Sequence, residues 1–420
     1  MRTVIRNGHL IDPARGLDGP GDVLIEDGRI RAVGQLGGVE GESFDATGRI
    51  VAPGFFDIHV HLREPGTEEA ETIRTGGEAA AAGGFTAVAA MPNTRPPIDS
   101  ASMARFIVAQ AARNSPSRVF PIGAVTKGQK GETLAEIGEM VEAGIVGISD
   151  DGKPVMDAQL FRRALEYSRL FDLPVIQHCE DLALSAKGVM HEGAIATRLG
   201  LEGIPSAAEE TMVARDLILT RLTSARYHVA HLSTAAAVQM VREAKDSGLS
   251  VTAEVTPHHF TLTDAAVREY DTNAKMKPPL RTQEDVDALV GGLRDGTIDA
   301  IATDHAPHHA NLKMLDFDQA PFGITGLETA VGLALTRLEL PIRRIVELFS
   351  TNPQRIMRVE PWGLFDGSAA DLTILDTRRE WTFDVSKSRS LSRNTPFDGW
   401  KLRGRAIATI VQGRIVYESH

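Results

Sequence analysis

The sequence predicts an α/β protein: a (β/α)8 TIM barrel with a small β-sandwich built from the N- and C-terminal segments. Three observations lead there. Through the middle of the chain, apolar β-branched runs alternate with helical stretches of ten or more residues, the pattern of repeated βα units. Eight such runs occur over about 300 residues, the size of a closed barrel. Short alternating strands with Asn-Gly and Asp-Gly dipeptides are confined to the two chain ends. A doubly wound open sheet is the competing arrangement, and the near-even spacing of eight units favours closure.

At the N-terminal end the expected strands are residues 3–5, 22–26, 29–33 and 49–52, with turns at Asn7-Gly8 and Asp27-Gly28. These dipeptides supply the positive φ angles that tight β-turns need. Matching strands are expected at 370–375, 406–411 and 415–417, the last after Gly413-Arg414. Neither end buries enough alone, so one sandwich from both follows, with residues 1–53 and 366–420 flanking a barrel of residues 54–365. The barrel runs end near His61, Met91, Val125, Asp151, His178 to Glu180, His231, His259 and Asp304. Between them, 69–82, 158–170 and 235–247 read as amphipathic helices.

Composition narrows the function classes. The chain has 420 residues, 42% hydrophobic and 24% charged, and a formal charge of -11, which argues against an electrostatic nucleic-acid binder. A single cysteine, Cys179, rules out an internal disulfide and any cysteine-based zinc cluster, in keeping with a reducing cytoplasm. No signal-type segment and no run of about 18 apolar residues is present, so a soluble cytoplasmic protein with no membrane partner is expected.

The chemistry centres on Phe55-Phe-Asp-Ile-His-Val-His-Leu-Arg-Glu-Pro65. In a strand, His59 and His61 lie on one face, Arg63 continues their parity, and Pro65-Gly66 ends the strand. A lone His-x-His pair is common in loops and surface strands. Here His59, His61, Asp151, His178, His231 and Asp304 all fall at the C-terminal ends of predicted barrel strands, where barrel active sites lie. Four histidines and two aspartates exceed what one catalytic zinc takes, so two metals are the economical reading. Asp151, on a middle strand, is the natural bridge; His59 and His61 would share one ion with Asp304, and His178 and His231 would hold the other.

Several motifs carry a resemblance. Gly54-Phe-Phe-Asp-Ile-His-Val-His-Leu-Arg-Glu-Pro-Gly66, Met91-Pro-Asn-Thr94, Ser149-Asp-Asp-Gly152, His231-Leu-Ser233, Val255-Thr-Pro-His-His259 and Thr303-Asp-His-Ala-Pro-His308 resemble the amidohydrolase superfamily. More narrowly, the chain resembles bacterial dihydroorotases of the class I type over essentially its whole length. The resemblance implies two zinc ions per subunit on the six residues above, and reversible closure of N-carbamoyl-L-aspartate to L-dihydroorotate in pyrimidine synthesis. It implies Asp304 as the proton-transferring carboxylate, and Arg63 as partner of the substrate carboxylate, helped by Asn93 and His308. Phe322 and Gly323, after a lid-like stretch at 310–320, are implied ring contacts. Related hydantoinases bridge their metals with a carbamylated lysine on strand four; this chain has Asp151 there, and Lys153 beyond the turn is expected to be structural or solvated.

Position 277, often asparagine in such relatives, is Lys277, kept as a substrate contact through its backbone, the alternative being an ammonium that points to solvent. His258 and His259 read as supporting or packing residues, and Cys179 as a buried thiol. The bland alternative for Arg63 is a surface ion pair with Glu64 or Glu68. Other functional readings stay open: a different cyclic amidase, such as a hydantoinase or allantoinase, or a non-catalytic subunit supporting aspartate carbamoyltransferase. A homodimer and an aspartate carbamoyltransferase partner are both admitted by the resemblance and decided by nothing in the residues.

Overall fold

In the computed structural model, which describes residues 2–419, the two chain ends form one eight-stranded sheet. Its order is Arg414–Glu418, Lys401–Val411, Leu372–Thr382, Ile50–Pro53, Arg2–Asp12, Leu17–Glu26, Arg29–Gly34, with Glu42–Asp45 pairing beside Arg2–Asp12. The far edge returns to the middle: Arg29 bridges Ala369, and the Ala370 amide donates to Gly28 O at 2.9 Å. The sheet thus wraps around a single core of Ile5, Val23, Ile25, Val51, Ile374 and Ile410. Both ends build this sandwich, as expected. One predicted turn is corrected: Asn7-Gly8 lies inside the strand Arg2–Asp12, where Asn7 has φ 58° and the register shifts between Ile5 and Gly8, a β-bulge. The chain reverses later, at Pro13–Arg15.

The middle of the chain supplies eight parallel strands: β1 (Phe55–Val60), β2 (Phe85–Ala90), β3 (Arg118–Pro121), β4 (Ile148–Ser149), β5 (Val175–Gln177), β6 (Tyr227–Val229), β7 (Val251–Val255) and β8 (Ala300–Ile301). Parallel bridges from Gly123 to Ile148 and from Val60 to His305 join the two sheets into a closed barrel, not an open one. Helices follow the strands: α1 (Ile73–Gly83), α2 (Ala101–Asn114), α3 (Ile137–Glu142), α4 (Ala158–Ser168), α5 (Ala207–Thr223), α6 (Ala235–Asp246), α7 (Gln283–Asp295) and α8 (Ala330–Arg337). Capping sets several starts. The Thr72 hydroxyl accepts from the Thr75 amide, so α1 begins at Ile73 and not at 69; Asp157 caps α4 and Thr282 with Asp285 caps α7.

Two expected run ends move. β3 stops at Pro121, leaving Val125 in the following loop, and β7 stops at Val255, after which the chain turns back through a His259 amide bond to Thr256 O at 3.1 Å. Phe56, Ile58, Ala87, Ala89, Ile176 and Ala300 pack together within the barrel, with Trp362 in the same cluster. Val60, by contrast, packs in the larger core that includes α1 and α2 side chains.

Candidate functional site

β1 does not present its histidines by simple alternation. Its register against β2 shifts between Asp57 and Val60, and this irregularity changes side-chain parity, so that His59 and His61 face the mouth although Phe56 and Ile58 pack inside. The strand ends at Val60, and His61 continues it through an amide bond to His305 O at 2.9 Å. Arg63 is therefore not on the strand as expected: it has φ 59°, and the turn, not parity, returns it to the site. His231 (φ 34°) and Asp304 (φ 45°) also adopt the left-handed conformation just beyond their strands. Such residues cost of order 1–3 kcal/mol each, a cost that persists where surrounding structure holds them.

The six predicted ligands converge. Asp151 sits among four imidazoles: its Oδ1 is 3.4 Å from His59 Nε2, 3.7 Å from His231 Nε2 and 3.8 Å from His178 Nδ1, and its Oδ2 is 3.4 Å from His61 Nε2. Asp304 Oδ1 lies 2.9 Å from His61 Nε2 and 3.5 Å from His59 Nε2. Three sets of donors approach closely enough to surround an ion: His59, His61 and Asp151; His59, His231 and Asp304; Asp151, His178 and His231.

This donor set fits a divalent cation. His59 Nε2 and Asp151 Oδ1, which face one another at 3.4 Å, are buried without a hydrogen-bond partner, a costly state that a ligand relieves. Electrostatics points the same way. Burial alone would lower the His59 imidazole, but the Asp304, Asp151 and Glu254 carboxylates push it well above its ordinary value. Burial alone would raise Asp151 and Asp304, but the surrounding histidines hold both well below the carboxylate range. The carboxylates thus demand positive charge at this point, and histidine with aspartate is a ligand set for such an ion.

Several residues that hold the ligands were not found in the sequence. Glu254 Oε1 accepts from His59 Nδ1 at 2.6 Å, which leaves Nε2 facing the site, and its Oε2 contacts His228 Nε2 at 3.2 Å. The available signal was a charged residue inside the apolar run of β7. Glu180 Oε2 contacts His178 Nε2 at 2.8 Å, aiming Nδ1 inward, and Glu180 Oε1 pairs with Lys277 Nζ at 2.7 Å. Burial works against the Glu180 charge, but His178 and Lys277 hold it at about 2. Asp150 accepts from the Val125 and Thr126 amides at 2.8 and 3.1 Å, fixing the loop beside Asp151. Lys153 is exposed, as expected.

Arg63 makes no ion pair with Glu64 or Glu68. Glu64 accepts from the Ile73 amide and from Gln110, and Glu68 from the Gly66 amide. Arg63 Nε instead donates to Pro307 O at 3.0 Å; burial lowers the guanidinium only to about 10, so it stays charged. Asn93 Oδ1 lies 2.9 Å from His61 Nδ1, orienting that imidazole and leaving its amide nitrogen available. His308 Nε2 donates to Phe322 O at 2.7 Å, and burial with the Arg63 charge lowers the imidazole to about 3. It is thus neutral with Nδ1 as an acceptor. Gly323 has φ 154°, and a Cβ there would lie 2.5 Å from Ala306 O.

The Phe322 ring has Lys275 Nζ at 4.6 Å and Lys277 Nζ at 5.1 Å from its centroid. Lys277 is therefore held by Glu180 and this ring, with its side chain only partly exposed. His259 is bonded on both nitrogens, to Thr256 Oγ1 and Pro278 O, as a packing residue would be. Cys179 is buried 3.1 Å from the Tyr227 hydroxyl, and burial pushes its thiol up, away from nucleophile chemistry.

Comparison with known proteins agrees with this geometry. Residues 48–237 match the family described as dihydro-orotase-like. A dihydroorotase of Solibacter usitatus is 56% identical over 418 residues, covering 98% of this chain and 97% of that protein. The chain belongs to the dihydroorotase family. A second dihydroorotase, of Geobacter sp. strain M21, is 51% identical and covers both chains completely, so the family match extends through both terminal β segments. Among solved structures, the L-hydantoinase (dihydropyrimidinase) of Arthrobacter aurescens superposes with a TM-score of 0.88 at 26% identity, covering 99% of this chain and 96% of that one. This chain and that hydantoinase thus share the barrel with its terminal β unit. Among the described residues, no helix is long and apolar enough to cross a membrane.

Proposed function

We propose that the chain catalyses the reversible interconversion of N-carbamoyl-L-aspartate and L-dihydroorotate in pyrimidine synthesis, on two zinc ions held by His59, His61, Asp151, His178, His231 and Asp304. The observation that carries this reading is the placement of Asp151 among four imidazoles, in a chain matched end to end by dihydroorotases. When bound, such ions polarise an amide carbonyl and lower the pKa of water to near neutrality.

The chain's own residues supply the rest. In ring opening, Asp304 takes the proton of the attacking water and passes it to the ring nitrogen as the C–N bond breaks; in closure the same carboxylate removes the nitrogen proton. Arg63, charged and paired with no carboxylate in the described structure, offers a planar fork to the substrate's α-carboxylate, with the Asn93 amide beside it. His308 is neutral with a free acceptor, so it matches an N–H of the substrate better than the carboxylate. Phe322 and Gly323 line the ring's position, and Lys277 acts by holding Glu180. The three units, residues 1–53, 54–365 and 366–420, divide the work into scaffold and barrel.

The likeness to a hydantoinase fold favours one second reading, another cyclic amidase. Turnover of carbamoyl aspartate is measured beside hydantoin and allantoin, together with zinc content by elemental analysis. Preference for carbamoyl aspartate with bound zinc is expected. Preference for hydantoin or allantoin overturns the substrate assignment, and metal-free protein without activity points to a supporting subunit of aspartate carbamoyltransferase. Size-exclusion chromatography with light scattering, alone and with that transferase, tests the homodimer and the partner.

A further inference from the structure

The C-terminal segment between Leu372–Thr382 and Lys401–Val411 does more than connect strands. Part of it lies against the barrel mouth: Ser392 Oγ donates to Ala70 O at 2.6 Å, the Leu391 amide to Glu71 Oε1 at 3.2 Å, and the Arg389 amide to Glu328 Oε1 at 2.6 Å. Ser390, Ser392, Asn394 and Thr395 are buried.

Asn394, 3% exposed, ties together two separate limbs of the pocket. Its Oδ1 accepts from the His308 amide at 3.0 Å. Its Nδ2 donates to Ala306 O at 2.9 Å and to Gly323 O at 3.0 Å, and its backbone carbonyl accepts from the Thr325 amide at 2.9 Å. One limb carries His308 and the other carries Phe322 and Gly323. The 310–320 stretch lies between them in sequence; the limbs also meet directly, through the Ala306 amide to Ile324 O at 3.0 Å and His308 Nε2 to Phe322 O at 2.7 Å, and Asn394 alone binds the His308 backbone amide and Gly323 O with one side chain. A carboxamide is the short side chain that offers one acceptor and two donors in this order. An aspartate would set a carboxylate against two carbonyl oxygens, and an alanine would leave the His308 amide and Ala306 O unpaired and Gly323 O with Lys313 Nζ alone.

We propose that Asn394 is a positioning residue for substrate binding, setting His308 against Gly323 from the C-terminal β unit. It touches neither substrate nor reacting atoms. The inference rests on the reading of His308 and Gly323 as substrate contacts, and the experiment separates the two.

Asn394→Ala, Asn394→Asp and, as reference, His308→Ala are assayed in both directions, with metal content and Tm measured on the same preparations. For both Asn394 variants KM rises by about tenfold or more, within the roughly 100-fold that a 1 Å misplacement costs, while kcat changes by less than about threefold and metal content stays at the unmodified level. An unchanged KM, or a loss of Tm with KM intact, overturns the proposal. If His308→Ala raises KM and the Asn394 variants do not, the positioning role fails while the pocket reading stands. If only the Asn394 variants raise KM, the His308 assignment fails and Asn394 acts through Gly323. Hydrogen exchange on the unmodified protein is a check that needs no variant: the His308 amide is protected, and exchange at the rate of an open amide overturns the contact.

Discussion

At the floor of the pocket, His59 Nε2 and Asp151 Oδ1 are buried with nothing to bond. Above it, the residues clasping 306–323 are just as enclosed and fully engaged. Lys313 Nζ donates to Pro321 O at 2.9 Å and Gly323 O at 3.2 Å, Lys275 Nζ bonds to the Phe317 and Asp318 carbonyls, and Asn394 makes the contacts given above. The difference separates two tasks. Polar atoms left unpaired in a folded chain mark where a ligand completes the structure, whereas polar side chains paired with backbone groups fix the shape of a loop. Breaking the floor should therefore cost chemistry or metal, and breaking the clasp should cost binding or stability.

The largest effect belongs to Asp304. Asp304→Asn keeps shape and one oxygen for an ion but cannot take a proton, so kcat falls by about 10²–10⁴-fold with metal retained. Elemental analysis and steady-state rates on the same sample check this. Near-normal turnover would place the base elsewhere.

Next comes Glu254, which serves the floor without belonging to it. Glu254→Gln keeps an acceptor for His59 Nδ1 at the 2.6 Å contact but removes the charge that favours a proton there. Affinity for metal should fall by about 10–100-fold, read by chelator competition, with rates restored at excess metal. If affinity is unchanged, Glu254 serves only the fold.

The two regions also differ in how far they could be read in the sequence. The floor was legible because each ligand closes a local pattern, an apolar run ending in His or Asp, and the eight apolar runs together define a ring. The carboxylates behind the ligands were harder. Glu254 breaks an apolar strand and could have been flagged; Glu180 stands two residues after His178 at a predicted run end, but nothing local marks it as the partner of that imidazole. The clasp was largely illegible: Asn394 stands 86 residues from His308 and 71 from Gly323, and nothing local marks a side chain whose partners are backbone atoms that far away. Arg63 reaches Pro307 O by a left-handed turn and not by the strand parity its sequence position suggests.

The smallest effect, and one confined to the clasp, concerns Lys313. Burial lowers its ammonium from the ordinary 10.5 to about 7, with the Lys275 charge adding to the fall. Below pH 7 both the folded and the unfolded chain hold this proton, so stability does not vary with it. Between about 7 and 10.5 the unfolded chain still holds a proton that the folded one has released, so this group makes stability rise with pH. The slope is at most about 1.4 kcal/mol per pH unit, a Tm change of about 1–2 °C per unit for a chain of this length. Lys313→Met has no such proton, so the Tm of the unmodified protein should gain on the variant between pH 7 and 9 and keep a constant offset from pH 6 to 7. A difference independent of pH across the whole range would mean that Lys313 stays charged in the clasp. In that case the Pro321 and Gly323 carbonyls stabilise the ammonium itself, and the clasp carries charge as the floor does.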